Sequence, residues 1–109
     1  MSPLTTHVLD TASGKPAKGL PVLLERKAAG RWKALGKGKT NADGRITDLL
    51  KPGRLARGVY RLTFDTAAYF RGRRAFYPQV CVIFQVRDER HHHVPLLLNP
   101  FGYSTYRGS

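Results

Sequence analysis

Short apolar stretches recur along the whole chain, and each is closed within a few residues by Gly, Pro, Asn or Asp. That punctuation leaves no room for long helices and is the spacing of an all-β sandwich or barrel. Leu4–Asp10 alternates and ends in the turn-rich Thr11-Ala12-Ser13-Gly14-Lys15-Pro16. Pro21–Lys27 and Arg31–Gly36 read as the next strands, the second carrying Trp32. Thr40–Arg45 is a turn, because Asp43-Gly44 supplies the positive φ a tight turn needs. Ile46–Leu50 is short and extended, and Gly58–Asp65 alternates with Tyr60, Leu62 and Phe64 on one face. Asp65 or Thr66 caps the one credible helix, Ala67–Arg71.

The last third of the chain gives the clearest pattern. In Gln79–Arg87, Val80, Val82, Phe84 and Val86 share one face, and Cys81, Ile83 and Gln85 the other. Both faces are largely apolar, as in a sandwich strand that also meets a partner. Cys81 there reads as buried and inert. His91–Asn99 follows, then the turn Asn99-Pro100-Phe101-Gly102 and a final strand, Tyr103–Arg107.

Length and composition narrow the function classes. The 109 residues make one domain, 1–109. A domain this small gains stability from packing against copies of itself. Lys and Arg number 19 against 7 Asp and Glu, for a net charge of +12. The basic residues form no continuous block, and no zinc-finger, helix-turn-helix or RNP-like pattern is present. The expectation is therefore no nucleic-acid partner, with steering of an anionic small substrate left open. The single cysteine excludes an intramolecular disulfide and a Cys-rich zinc site. No apolar run approaches the roughly 18 residues of a membrane helix, so no membrane partner is expected. Met1–Thr6 has neither a basic n-region nor an apolar h-region, which makes a cytoplasmic protein the expectation.

Three of the four histidines are consecutive. With a period of two, His91 and His93 share a strand face with Pro95 and Leu97, while His92 joins Val94, Leu96 and Leu98. Two imidazoles at i and i+2 can share a substrate, hold a metal with further ligands, or form a solvated cluster at a strand end. His7 lies mid-strand, and Arg45 follows the Asp-Gly turn. Paired carboxylates, a Gly-rich phosphate loop and a nucleophile elbow are all missing from the sequence.

The segment His91–Ser109, ending in Tyr106-Arg107-Gly108-Ser109, closely resembles the C-terminus of the 5-hydroxyisourate hydrolases, the transthyretin-related enzymes of purine catabolism. Thr6-His7-Val8-Leu9-Asp10, Asp43-Gly44-Arg45, Gly58-Val59-Tyr60-Arg61-Leu62 and Phe76-Tyr77-Pro78 are similar to the same family, so the resemblance spans the chain. It implies a transthyretin-like (prealbumin-like) β-sandwich of two four-stranded sheets with one short helix. It also implies a homotetramer, a dimer of dimers, with active sites in the channel between dimers. The implied reaction is hydrolysis of 5-hydroxyisourate, with neither metal nor cofactor. The implied catalytic residues are His7, Arg45 and His93. The implied substrate contacts are His7, Arg45, His91, Tyr106, Arg107, Gly108 and Ser109. His92 departs from the family pattern, where that position is commonly aromatic. In this scheme His7 or His93 activates water and Arg45 faces the oxyanion. Tyr106 orients substrate, and the Ser109 carboxylate holds a histidine or Arg45. The rival readings are a carrier of the transthyretin type, a metal-binding module built on His7, His91 and His93, and a nucleic-acid binder that salt-dependent binding to arbitrary DNA would reveal.

Overall fold

The computed structural model describes residues 2–109. They form nine strands and one short helix: β1 (Leu4–Asp10), β2 (Lys15–Pro16), β3 (Pro21–Ala28), β4 (Arg31–Lys39), β5 (Arg45–Ile46), β6 (Gly58–Phe64), α1 (Thr66–Tyr69), β7 (Val80–Val86), β8 (His92–Asn99) and β9 (Gly102–Thr105). One sheet has the order β4-β3-β6-β7, and the other runs β2-β1-β8-β9 with β5 also paired to β1. The two-residue β5 raises the second sheet from four strands to five.

Alternation drives the packing. Leu4 and Val8 of β1, with Val94, Leu96 and Leu98 of β8, are buried. They meet Val22 and Leu24 of β3, Tyr60, Leu62 and Phe64 of β6, and Val80, Val82 and Val86 of β7 in one core. Each such aliphatic side chain contributes about 1.5–3 kcal/mol by leaving water. His92 lies on the core face of β8, buried, with Nδ1 2.7 Å from the Arg90 carbonyl. An N–H at Nδ1 therefore donates to that oxygen.

β1 and β8 pair in parallel, whereas the other ladders are antiparallel. One edge of β1 is taken along its length by β8; the other is shared by β5 near His7 and β2 near Asp10. The helix is capped by Asp65, whose carboxylate accepts the Ala68 N–H at 3.0 Å. It begins one residue earlier than the spacing predicts and ends two earlier. The third predicted strand extends to Lys39, and Ile46–Leu50 keeps only its first residue in a strand.

Cys81 corrects an expectation: it is exposed. The register sets it beside Thr63 on the outward face of its sheet, with Ile83 on the same face and 60% exposed. An apolar second face alone does not bury a strand; something must cover it.

Candidate active site

β1 lies inside its sheet, and its neighbours bring the polar residues to it. On one edge β5 sets Arg45 opposite His7. On the other, β8 sets His93 opposite Thr5 and Pro95 opposite His7. Thr5, His7, His93 and Pro95 thus share the face that points away from the core. The chain end joins them. The β8–β9 ladder pairs Leu97 with Ser104 and Leu96 with Thr105, and the same register continues beyond β9 to a bridge between His93 and Gly108. That continuation sets Tyr106 opposite Pro95, on the face that carries His7.

Local chemistry fixes Arg45. The Asn41 side-chain oxygen accepts the backbone N–H groups of Asp43, at 2.9 Å, and Arg45, at 3.0 Å. Gly44 takes φ +75°, a conformation that disfavours a side chain. Its carbonyl accepts the Val8 N–H at 2.8 Å, which stitches the turn to β1 one residue beyond His7. The Asp-Gly turn is therefore what holds a guanidinium beside an imidazole.

Thr5 connects the other two imidazoles. Its hydroxyl is 3.0 Å from His91 Nε2 and 2.8 Å from His93 Nδ1. The two rings lie nearly parallel, with centroids 6.4 Å apart and planes 19° from each other. Thr5 itself is buried beneath them.

Electrostatics favour neutral imidazoles. Burial, then the Arg45 guanidinium, lowers the His7 pKa below its ordinary value, against a smaller opposing effect of the Asp43 carbonyl and carboxylate. Burial also leads for His93, followed by Arg45, His7 and His91, with the Thr5 carbonyl opposing. Taking a cation out of water and placing another cation beside it both penalise the imidazolium. A neutral ring keeps a lone pair, as a base requires.

The expected site residues divide by position. His7, Arg45, His93, His91, Tyr106 and Gly108 come together along one face, with Tyr106 exposed at its edge. Ser109 follows at the exposed chain end. Arg107 lines a groove between the sheets with Val82, Phe84, His92 and Val94, and His93 and Tyr106 border the same groove. Among the described residues, no three His, Cys, Asp or Glu side chains cluster in a manner suited to a metal ion. Thr5 is the site residue that reading the sequence missed. Nothing marks one threonine in Thr5-Thr6 until β8 is laid alongside it.

Comparison with known proteins identifies the family and the fold. The sequence model of the HIUase/Transthyretin family matches residues 4–108. A mouse (Mus musculus) protein named 5-hydroxyisourate hydrolase is 52% identical over 113 residues, covering 99% of this chain and 96% of that protein. The solved structure of the Klebsiella pneumoniae 5-hydroxyisourate hydrolase superposes with a TM-score of 0.85 at 40% identity, covering 97% of this chain and 98% of that one. Sea bream transthyretin, solved in complex with thyroxine, superposes with a TM-score of 0.92 at 36% identity, covering 98% of this chain and 95% of the other.

Proposed function

The chain belongs to the HIUase/Transthyretin family and is a hydrolase, and we propose that it opens a ring amide of 5-hydroxyisourate with water in urate degradation. The product is 2-oxo-4-hydroxy-4-carboxy-5-ureidoimidazoline. The observation that carries this reading is the cross-strand placement of Arg45 against His7, with His93 on the same face and the tail bridged to it.

The chemistry follows from the groups present. Water attacks the amide carbonyl once a neutral imidazole, His7 or His93, takes its proton. Negative charge then builds on the carbonyl oxygen. Arg45 stays protonated at any ordinary pH, so it serves as the partner of that oxyanion and not as a base. The amide nitrogen leaves as it regains a proton from an imidazolium, which restores the neutral base. One proton of the attacking water thus reaches the leaving nitrogen through the imidazole, and the other stays on the new carboxylic acid until it ionises to solvent. Tyr106 orients the substrate at the edge of the face.

The tetramer belongs to the same reading. Leu9 and Leu97 flank the polar residues on the outward face and are only half-buried in the single chain. Packing this face against a second copy covers them and turns an open surface into a channel, with the stabilisation that association brings. The reading also retains a cytoplasmic setting, checked by cell fractionation.

The test is to incubate freshly prepared 5-hydroxyisourate with the protein, with and without a chelator, and identify the product by NMR. Ring-opened product formed faster than the spontaneous background, and equally fast with chelator, supports the reading. Binding without turnover is the outcome expected of a carrier, and loss of turnover with chelator is that expected of a metal site.

A further inference from the structure

Thr5 offers one hydroxyl to two imidazoles, and a hydroxyl has only one proton to give. It can donate to His91 Nε2 or to His93 Nδ1, but not to both. Whichever ring it does not donate to must instead donate an N–H to it, if both contacts are hydrogen bonds. At 3.0 Å and 2.8 Å both are. The hydroxyl oxygen can also accept from both rings at once, since it carries two lone pairs; a neutral His93 keeps a free Nε2 lone pair wherever its Nδ1 donates to Thr5, and loses it where Thr5 donates to Nδ1.

We infer that Thr5 is a positioning residue: it accepts the Nδ1–H of His93 and donates to Nε2 of His91, leaving the Nε2 lone pair of His93 free for the water proton. This inference rests on the proposed hydrolysis and assigns the base that the sequence leaves open between His7 and His93. Two observations carry it. Thr5 is buried, and its two hydrogen bonds to the rings are partly buried. His93 Nε2 has no hydrogen bond to any of the described residues, whereas Nδ1 is engaged. In histidine chemistry, the hydrogen bond at one ring nitrogen decides what the other can do.

The arrangement further gives the proton a path. When His93 Nε2 takes a proton from water, the ring becomes an imidazolium held at Nδ1–H by Thr5. The Nδ1 proton can pass to the Thr5 oxygen as the Thr5 proton passes to His91 Nε2. The positive charge then rests on exposed His91 while the tetrahedral adduct stands, and its return along the same path restores the His93 imidazolium, whose Nε2 proton goes to the leaving nitrogen. One proton enters at His93, one crosses Thr5 and one arrives at His91. His91 thus acts through Thr5 and need not touch the substrate. Arg45, His7 and His91 all face His93 as present or potential cations, so moving charge outward to exposed His91 relieves repulsion at the His93 ring.

The test uses Thr5→Val, which keeps the shape and removes the hydroxyl, and Thr5→Ser, which keeps the hydroxyl. Nitrogen-15 NMR on the wild type should show neutral His93 with its proton on Nδ1, a readout that needs no substrate. In Thr5→Val that tautomer should lose its dominance, and kcat should fall about 10- to 100-fold with KM little changed, the scale on which loss of an orienting partner acts. Thr5→Ser should restore both. A wild-type His93 protonated on Nε2, or a folded Thr5→Val enzyme with wild-type kcat, overturns the inference. If the wild type fails to hydrolyse 5-hydroxyisourate, the proposed substrate is wrong, while the tautomer measurement still decides the role of Thr5.

Discussion

Gly108 lies against His93 so closely that no side chain fits between them. Its N–H donates to the His93 carbonyl at 2.8 Å, and a Cβ built on Gly108 would sit 2.6 Å from His93 Cδ2 and 3.2 Å from Pro95 Cγ. The glycine of the terminal Tyr-Arg-Gly-Ser is thus required by close approach and not by an unusual φ. Gly108→Ala should push the tail off the His93 ring and lower kcat/KM about tenfold or more, because small displacements at a reacting centre are costly. The unfolding midpoint should hardly move, since the tail adds nothing to the core. Steady-state kinetics and a thermal melt on the same preparation check both halves.

Removing Tyr106–Ser109 altogether should abolish turnover and leave a soluble β protein. β9 ends at Thr105, so its ladder to β8 survives the deletion. Circular dichroism should keep its strand signature while the decay of 5-hydroxyisourate falls to its spontaneous rate. Full turnover by the shortened chain removes the tail from the site.

The imidazoles should titrate low. Burial and the Arg45 guanidinium both lower His7 and His93 from the ordinary 6.5. A base works only while unprotonated, so the acid limb of kcat/KM should fall below that of a free histidine, and activity should persist into mildly acidic solution. Arg45→Ala removes one lowering cause and leaves burial in place. NMR titration of His7 and His93 in that variant should therefore move both pKa values upward, part of the way back. Downward movement contradicts the assigned electrostatics.

Asp10 makes a prediction about stability and not activity. Its buried carboxylate accepts the N–H groups of Ala12 and Ser13 and the Tyr69 hydroxyl, the last at 2.7 Å. Burial and that carboxylate push the Tyr69 phenol up to about 12, so the proton stays in place at any working pH. Tyr69→Phe should cost about 1–3 kcal/mol, the range for a hydrogen bond to a charged group. Urea unfolding should show the loss, and kcat should be unchanged.

Residues differ in how much of this they reveal in sequence. The core face of β8 is legible because Val94, Leu96 and Leu98 recur with the strand period and their burial follows from it. The Asp43-Gly44 turn is legible because its chemistry is local. β2 and β5 are not, because two residues carry no period; they exist only because β1 has a free edge to pair. Cys81 misleads because a strand with two apolar faces looks covered on both sides. Thr5 is invisible for another reason: its partners lie 86 and 88 residues away, and only the parallel register of β1 and β8 brings them together. The tail is the reverse case, conspicuous in sequence, yet its glycine is explained only by the His93 ring beside it.

The most direct measurement follows the absorbance decay of freshly prepared 5-hydroxyisourate with wild type, His7→Ala, Arg45→Ala and His93→Ala side by side, each checked for folding. The wild type should accelerate the decay well above background, and each variant should lose about 10²-fold or more, the scale of lost acid–base or oxyanion assistance. A wild-type trace that overlays the spontaneous decay, or two folded variants that keep wild-type rates, contradicts the claim that this face of the sheet performs the hydrolysis.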